Sequence, residues 1–262
     1  MPKLAANLTM MFCEQPFLQR FAAARANGFK GVEYHFPYDW PENIIATKLE
    51  ENGLEQVLFN LPPGDWDAGE RGLAALPGRE QDFKSELERA LDYAAALGCT
   101  RLHALAGIIQ DENDRENMED VFVENLRLAS QRCADAGVSL MIEPINTIDM
   151  PGYFLNTSKQ ALVIINRVGV DNLFLQFDIY HQQIMEGNLT RSLSKLMPRI
   201  GHIQIASVPD RHEPDTGEVN DRQILNHLDE TGYRGWVGCE YLPKGNTEQG
   251  LGWAAPWGIG KK

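Results

Sequence analysis

Short apolar runs alternate with longer amphipathic segments along this chain. Residues 138–142 are typical of the runs, since they are mostly apolar and stand between Gly137 and Pro144. Residues 79–97 are typical of the segments, in which apolar side chains recur every three or four positions. The runs have the length of buried parallel strands and the segments have the period of helices. The pattern therefore predicts strands and helices in alternation.

The same reading applied to the whole chain predicts eight strands and the helices between them. The predicted strands are 4–10, 31–36, 55–61, 100–106, 138–143, 173–178, 201–205 and 235–240. The predicted helices are 16–27, 41–52, 79–97, 115–136, 158–168, 189–197 and 223–231. A long loop at 62–78 carries three prolines and several glycines, and it is either a wall or lid of a binding site or a surface excursion.

This order of elements predicts a single α/β domain over residues 1–262, folded as a (β/α)8 TIM barrel. Eight strand–helix units in about 250 residues fit a closed barrel, and no shift in composition marks a domain boundary. The competing fold is an open doubly wound sheet. It lacks support, because no G-x-G-x-x-G follows the first strand and the chain has no P-loop.

Four of the predicted strands end in an oxygen-bearing side chain. They are Glu143, Asp178, Gln204 and Glu240, spaced 35, 26 and 36 residues apart. These intervals are each close to one strand-plus-helix unit. Since the carboxyl ends of barrel strands meet on one face, the four side chains are expected to converge there.

Convergence of three carboxylates and an amide predicts a divalent cation site. Carboxylates that face each other repel and take raised pKa values unless a cation lies between them. Oxygen ligands that include a neutral amide favour Mg²⁺ or Mn²⁺ over Zn²⁺. The alternative is a solvated rim of unrelated acids, which the regular recurrence of the pattern disfavours.

Other polar residues are expected near the same face. His181 follows Asp178 by three positions, and Arg211 lies in the loop after the Gln204 strand. The planar guanidinium of Arg211 suits a substrate carboxylate, with a surface salt bridge as the alternative. His103, on the fourth strand, is a candidate for the substrate pocket or for a satisfied core histidine.

The composition of the chain disfavours some classes of binding partner and indicates a cellular compartment. The chain has 37 acidic and 24 basic residues, and its formal charge of −13 disfavours nucleic acid as a partner. No apolar run approaches the length of a membrane span, and the start of the chain does not resemble a secretory signal. Four widely spaced cysteines are expected to be reduced thiols in or near the core. We therefore expect a cytoplasmic protein, with a homo-oligomer left open.

Several segments together resemble the hydroxypyruvate isomerases, from about Ala5 to Trp253. The quoted matches are residues 61–66, 77–80, 143–146, 178–181, 204–206 and 238–241. That family belongs to the xylose-isomerase-like TIM barrels, together with the ketose 3-epimerases and the endonuclease IV group. Residues 5–12 and 209–214 look more like the sister group that acts on 2-oxo-tetronate.

The resemblance implies roles for individual residues. It implies that the set Glu143, Asp178, Gln204 and Glu240 binds a divalent metal. It further implies that Glu143 and Glu240 move protons and that His181 and Arg211 contact the substrate. Many of the related epimerases have a histidine where this chain has Gln204, as the hydroxypyruvate isomerases do.

The predicted activity is a metal-assisted isomerisation of a small anionic keto acid through an enediolate. The reference reaction converts hydroxypyruvate to 2-hydroxy-3-oxopropanoate (tartronate semialdehyde), and 2-oxo-tetronate isomerisation is the nearest alternative. A ketose 3-epimerase would apply the same carboxylates to a neutral sugar. A DNA-repair endonuclease would need several metals and many histidines, whereas this chain has six histidines in all. A non-catalytic metal or sugar binder would leave the two proton-moving glutamates without a role.

Overall fold

A computed structural model describes residues 2–260, and in this stretch eight parallel strands close into a barrel. Each strand pairs with the next in chain order, and the last pairs with the first. The strands are β1 Lys3–Asn7, β2 Gly31–Tyr34, β3 Glu55–Asn60, β4 Arg101–His103, β5 Ser139–Ile142, β6 Leu173–Asp178, β7 Ile200–Ile205 and β8 Trp236–Cys239. The predicted (β/α)8 barrel is confirmed, and the open doubly wound sheet is wrong.

Helices connect the strands on the outside. They are α1 Phe17–Ala26, α2 Glu42–Asn52, α3 Glu80–Leu97, α4 Arg115–Asp135, α5 Ser158–Val168, α6 Ile179–Met185, α7 Leu189–Leu196, α8 Asp221–Glu230 and α9 Thr247–Gly250. Short 3₁₀ helices lie at Glu112–Asp114, Met197–Arg199 and Leu251–Trp257. The seven predicted helices are all present. Six of the strands are shorter than predicted, whereas β6 has the predicted bounds and β7 begins one residue earlier.

The hydrophobic pattern did not reveal helix α6. It begins directly after β6, and the side chain of Asp178 caps it by accepting a hydrogen bond from the backbone N–H of Tyr180 at 2.7 Å. Because no turn residue separates the strand from the helix, the sequence shows no boundary between them. The consequence is functional, since this helix carries His181 above the end of β6.

The barrel interior is apolar at one end. A small cluster of Ala5, Val57, Leu58, Met141 and Trp236 is separate from the large core between strands and helices. Trp236 is the first residue of β8, and Met141 precedes Glu143 on β5. The cluster therefore fills the end of the interior that lies away from the carboxyl ends of the strands.

Above this cluster the interior becomes polar and completely buried. Glu33, Gln176 and His202 are at most 2% exposed, and Nε2 of His202 lies 2.7 Å from Oε2 of Glu33. Gly238 makes room for this layer, since a Cβ at that position would lie 2.2 Å from Oε1 of Glu33. A glycine on β8 is thus required by the buried carboxylate opposite.

The cysteines and the hydrophobicity of the helices bear on two of the predictions from composition. Cys99, Cys133 and Cys239 are buried free thiols as predicted, whereas Cys13 is a free thiol on the surface. Among residues 2–260, no helix has both the length and the apolar character to cross a membrane.

The contact at Gly238 leads to a stability prediction. Gly238→Ala should lower the free energy of unfolding by about 1–3 kcal/mol, because the added methyl overpacks a site with no free space beside Glu33. Chemical denaturation monitored by circular dichroism measures this change. Gly252→Ala is the matched control, since an added Cβ there has no neighbouring heavy atom within 4 Å. Equal stability of the two variants would contradict the overpacking argument.

Candidate active site

A cavity of about 200 Å³ opens at the carboxyl ends of the strands. Its lining includes His35, Asn60, His103, Glu143, His181, Arg211 and Glu240, with Phe36 and Trp66 on one side. A larger cavity of about 730 Å³ lies outside the barrel, between the 62–78 loop and the start of α4. The smaller cavity is the candidate site, because the titratable groups converge there.

Two carboxylates and a histidine form the centre of this site. One possible ligand atom from each of Glu143, Asp178 and His181 lies within 4.8 Å of the others, and all three residues are buried. Within the described chain, Oε1 of Glu143 and Oδ2 of Asp178 are buried without a hydrogen-bond partner. Burying a charged oxygen without a partner costs free energy of folding. Such oxygens are the donor set that a hard divalent cation prefers, so the residues present fit a metal ion.

Glu240 faces the same cavity but has closer partners. Its Oε1 lies 2.5 Å from Nε2 of His35, and its Oε2 lies 3.4 Å from a terminal nitrogen of Arg211. His35 directly follows β2 and lies on the barrel mouth beside β8. The two glutamates therefore have different surroundings although they end equivalent strands.

Arg211 lies among the acids of the site. Its guanidinium is 3.6 Å from Asp178, 3.4 Å from Glu240 and 3.7 Å from Asp149, and it stacks over the ring of Tyr180 at 4.9 Å. Arg211 thus forms ion pairs with neighbouring acids, and because its side chain is only 16% exposed, these pairs lie within the cavity and not on the open surface.

The backbone holds Arg211 in an unusual conformation. Its φ is +55°, a region that non-glycine residues seldom adopt. The carbonyl of Arg211 accepts a hydrogen bond from the backbone N–H of Leu242 at 2.7 Å. The β7–α8 loop is thereby tied to the segment after β8, which directs the guanidinium at the cavity.

The surroundings separate the pKa values of the acids. Burial raises the pKa of Glu143 well above its usual value, and the charges of Glu240 and Asp178 raise it further. Burial also raises the pKa of Asp178, to about 7, although Arg211 opposes the shift. Burial acts on Glu240 in the same direction, but Arg211 and His35 outweigh it and lower its pKa to about 2. The pKa values of the two glutamates are thus shifted in opposite directions, upward for Glu143 and downward for Glu240.

The two candidate substrate-binding histidines lie in the cavity wall and are neutral. Burial lowers the pKa of His103 to about 3 and that of His181 well below its usual value. Nδ1 of His103 is 3.2 Å from Oδ1 of Asn60, and Nδ1 of His181 is 2.7 Å from the amide nitrogen of Asn146. Each ring is therefore oriented through Nδ1. Nε2 of His181 lies 3.5 Å from Oδ2 of Asp178, whereas Nδ1 of His103 lies 3.7 Å from Oε2 of Glu143.

Gln204, the predicted fourth ligand, lies in the polar layer below the cavity. Its Nε2 donates to Oε1 of Glu33 at 2.8 Å, and its Oε1 accepts from Nε2 of Gln176 at 2.6 Å. The register pairs Gln204 with Asp178 on the neighbouring strand. The four predicted ligands are thus brought to one region, in which Glu143 and Glu240 line the cavity and Asp178 and Gln204 do not.

Sequence reasoning missed His35, Asn60, Trp66 and Asp149. A signal existed for His35 and Asn60, because both lie near the carboxyl ends of predicted strands as Glu143 does. Trp66 belongs to the 62–78 loop, and its ring contacts Phe36 at 5.4 Å and the Arg71 guanidinium at 3.8 Å. This contact makes part of the loop a wall of the cavity.

The family model described as "Xylose isomerase-like TIM barrel" matches residues 21–257. The chain is 52% identical over 257 residues to a 2-oxo-tetronate isomerase of Cupriavidus necator, covering 98% of this chain and 99% of that protein. It is 45% identical to a hydroxypyruvate isomerase of Escherichia coli, covering 98% and 100%. The resemblance seen in the sequence is confirmed.

Solved structures agree on the fold. A crystal structure described as AP endonuclease, family 2, from Brucella melitensis superposes with a TM-score of 0.96 at 52% identity, covering 98% of this chain and 99% of that one. A structure of L-ribulose 3-epimerase superposes with a TM-score of 0.76 at 20% identity, covering 100% of this chain and 88% of that one. At that low identity the second likeness concerns the barrel alone.

The raised pKa of Glu143 leads to a prediction about stability and pH. An acid whose pKa is higher in the folded than in the unfolded protein favours folding at low pH, and this contribution falls as pH rises above the unfolded value. Glu143→Gln removes the buried acid, so it should raise the melting temperature in EDTA by a few degrees at about pH 8.5 and by less at about pH 5.5.

Differential scanning calorimetry at the two pH values measures this effect. Glu50→Gln, on the exposed face of α2, is the matched control and should leave the melting temperature unchanged. A lower melting temperature for Glu143→Gln at the higher pH would show that the carboxylate stabilises the fold instead.

Proposed function

We propose that this chain moves the carbonyl of a short hydroxy-keto acid between carbons 2 and 3. The chain belongs to the xylose isomerase-like TIM barrel family, and it is a keto-acid isomerase. The reference reaction interconverts hydroxypyruvate and 2-hydroxy-3-oxopropanoate. The observation that carries the proposal is the pair Glu143 and Glu240, which face one small cavity with opposed pKa values beside Arg211.

The two glutamates suit the two proton transfers of this isomerisation. One carboxylate removes the proton from carbon 3, and the other carboxyl group delivers a proton to carbon 2. The carbonyl passes from carbon 2 to carbon 3 while the hydroxyl proton passes between their oxygens, so atoms and charge balance. Because the reaction is reversible, each glutamate acts as acid in one direction and as base in the other.

The proposed cofactor is a divalent cation, Mg²⁺ or Mn²⁺, held by Glu143, Asp178, Gln204 and Glu240. The buried, unpartnered oxygens of Glu143 and Asp178 support this assignment, and His181 lies close enough to take part. When bound, such a cation acts as a Lewis acid towards negative charge that develops on the substrate oxygens.

Arg211 is proposed to bind the substrate carboxylate. Its Nε is buried without a hydrogen-bond partner in the described chain, so the guanidinium can still donate hydrogen bonds to both oxygens of a carboxylate. The neutral rings of His103 and His181 can donate or accept hydrogen bonds from the wall without adding charge. An anionic substrate would therefore find one fixed positive group in a cavity otherwise rich in acids.

The second candidate substrate is 2-oxo-tetronate. Relatives at 52%, 49% and 46% identity carry the name 2-oxo-tetronate isomerase, and relatives at 48%, 46% and 45% identity are named hydroxypyruvate isomerase or putative hydroxypyruvate isomerase. The two acids share the reacting carbons and differ by one CHOH unit. Both are small enough for a cavity of about 200 Å³.

Two other classes fit the site less well. A ketose 3-epimerase acts on a neutral sugar and would leave the buried charge of Arg211 without a partner on the substrate. A DNA-repair endonuclease, as the name of the Brucella structure suggests for that protein, would have to bring a polyanion to a chain with a charge of −13. We propose a small-molecule enzyme of the cytoplasm, without nucleic-acid or membrane partners.

The proton-transfer roles lead to a prediction about turnover. Glu143→Gln and Glu240→Gln should each lower kcat by at least about a hundredfold, because an amide cannot exchange the proton that the step requires. Steady-state assays with the two keto acids measure this loss, and Glu50→Gln serves as the control. Near-normal turnover in either site variant would refute its proposed role.

The choice of substrate is tested by a paired assay. The Mn²⁺-loaded protein receives hydroxypyruvate or 2-oxo-tetronate, each with and without EDTA, and a neutral ketose serves as a third substrate. We expect an EDTA-sensitive activity on a keto acid and at least about a hundredfold lower kcat/KM on the ketose. Activity that is insensitive to EDTA, or a preference for the ketose, would refute the proposal.

A further inference from the structure

A hydrogen-bond relay lies inside the barrel, below the cavity. Glu33 in β2 is fully buried. Its Oε1 accepts hydrogen bonds from Nδ2 of Asn7 at 3.1 Å and from Nε2 of Gln204 at 2.8 Å. Its Oε2 lies 2.7 Å from Nε2 of His202. This carboxylate therefore acts only on other side chains and does not reach the substrate cavity.

The contact with Glu33 determines which way the amide of Gln204 points. A carboxylate offers only acceptor oxygens, so the NH₂ group of Gln204 must face it. The carbonyl oxygen is then directed away from Glu33, where it accepts from Nε2 of Gln176 at 2.6 Å. A carbonyl oxygen has a second lone pair, which leaves one site for a further partner.

The strand register shows what lies on the oxygen's side. Gln176 belongs to β6, the strand that ends at Asp178, and Gln204 pairs with Asp178 in the register. Glu143 follows the pair Ile142 and Leu175, so it stands beside Gln176. The amide oxygen of Gln204 thus faces β5 and β6, the strands that lead to Glu143 and Asp178. The amide nitrogen of Gln204 faces Glu33 in β2, across the barrel.

We propose that Glu33 is a positioning residue that keeps the carbonyl oxygen of Gln204 turned towards the cation. An amide without this constraint can rotate by half a turn and present its NH₂ group, which repels a cation. The inference rests on the proposed function, because it concerns the affinity of the proposed metal centre. It also explains why a carboxylate and a facing glycine, Gly238, occupy the middle of a barrel interior.

A double-mutant cycle on Mn²⁺ affinity tests the proposal. Isothermal titration calorimetry is performed on the wild-type protein, Glu33→Gln, Gln204→Ala and the double variant. Groups that orient metal ligands typically contribute about 10–100-fold to affinity, so Glu33→Gln should weaken Mn²⁺ binding by at least about tenfold. In the Gln204→Ala background it should cause no further loss, because the side chain through which it acts is gone.

The controls separate positioning from general stability. Asn7→Ala removes a different donor from the same oxygen of Glu33 and should leave Mn²⁺ affinity within about twofold. If Glu33→Gln does not fold, Glu33→Asp keeps the charge and withdraws it by one methylene, and it should weaken Mn²⁺ binding while circular dichroism stays native.

Two results would overturn the inference. One is unchanged Mn²⁺ affinity in the folded Glu33 variant, and the other is an equal loss in the presence and absence of the Gln204 side chain. If the wild-type protein binds no Mn²⁺ at all, the proposed metal centre fails and the inference fails with it. Binding by the wild type with an unaffected Glu33 variant refutes the inference alone.

Discussion

The burial of several carboxylates at one end of the barrel is the constraint on which the site depends. Removing an ion from water costs several kcal/mol unless partners compensate, and Glu143, Asp178 and Glu240 are each about 95% buried or more. Arg211 compensates part of this cost for Asp178 and Glu240. Glu143 receives less help and keeps a strongly raised pKa. The difference between the pKa values of the two glutamates therefore follows from the positions of Arg211 and of His35, which both lower the pKa of Glu240.

The position of that guanidinium depends in turn on backbone outside the strands. The left-handed conformation of Arg211 and its carbonyl bond to Leu242 fix the start of the side chain, and Tyr180 supports its end. Tyr180 is itself held because Asp178 caps the helix to which it belongs. The proposed metal ligand Asp178, the start of helix α6 and Arg211 are thus one connected unit.

The sequence predicted the barrel and the residues at its strand ends because both follow from local patterns. Period-2 and period-3.6 patterns do not depend on tertiary contacts, and Glu143 and Glu240 follow their strands directly. Asp149 and Trp66 could not be predicted, since long loops bring them to the cavity. The partners of Gln204 were also hidden, because Glu33 lies 171 positions away in the chain and reads as an ordinary polar residue in a strand.

The two oxygens of each carboxylate in the site have different surroundings. Asp178 uses Oδ1 to cap α6 and leaves Oδ2 towards the cavity. Glu240 gives Oε1 to His35, while its Oε2 faces Arg211. Glu143 has Oε2 near His103, at 3.7 Å, and leaves Oε1 unpartnered in the described chain. One oxygen of Asp178 and one of Glu240 are held by close partners, so the other oxygen of each has a defined direction. Such preorganisation favours reaction of a small substrate, which provides little binding energy of its own.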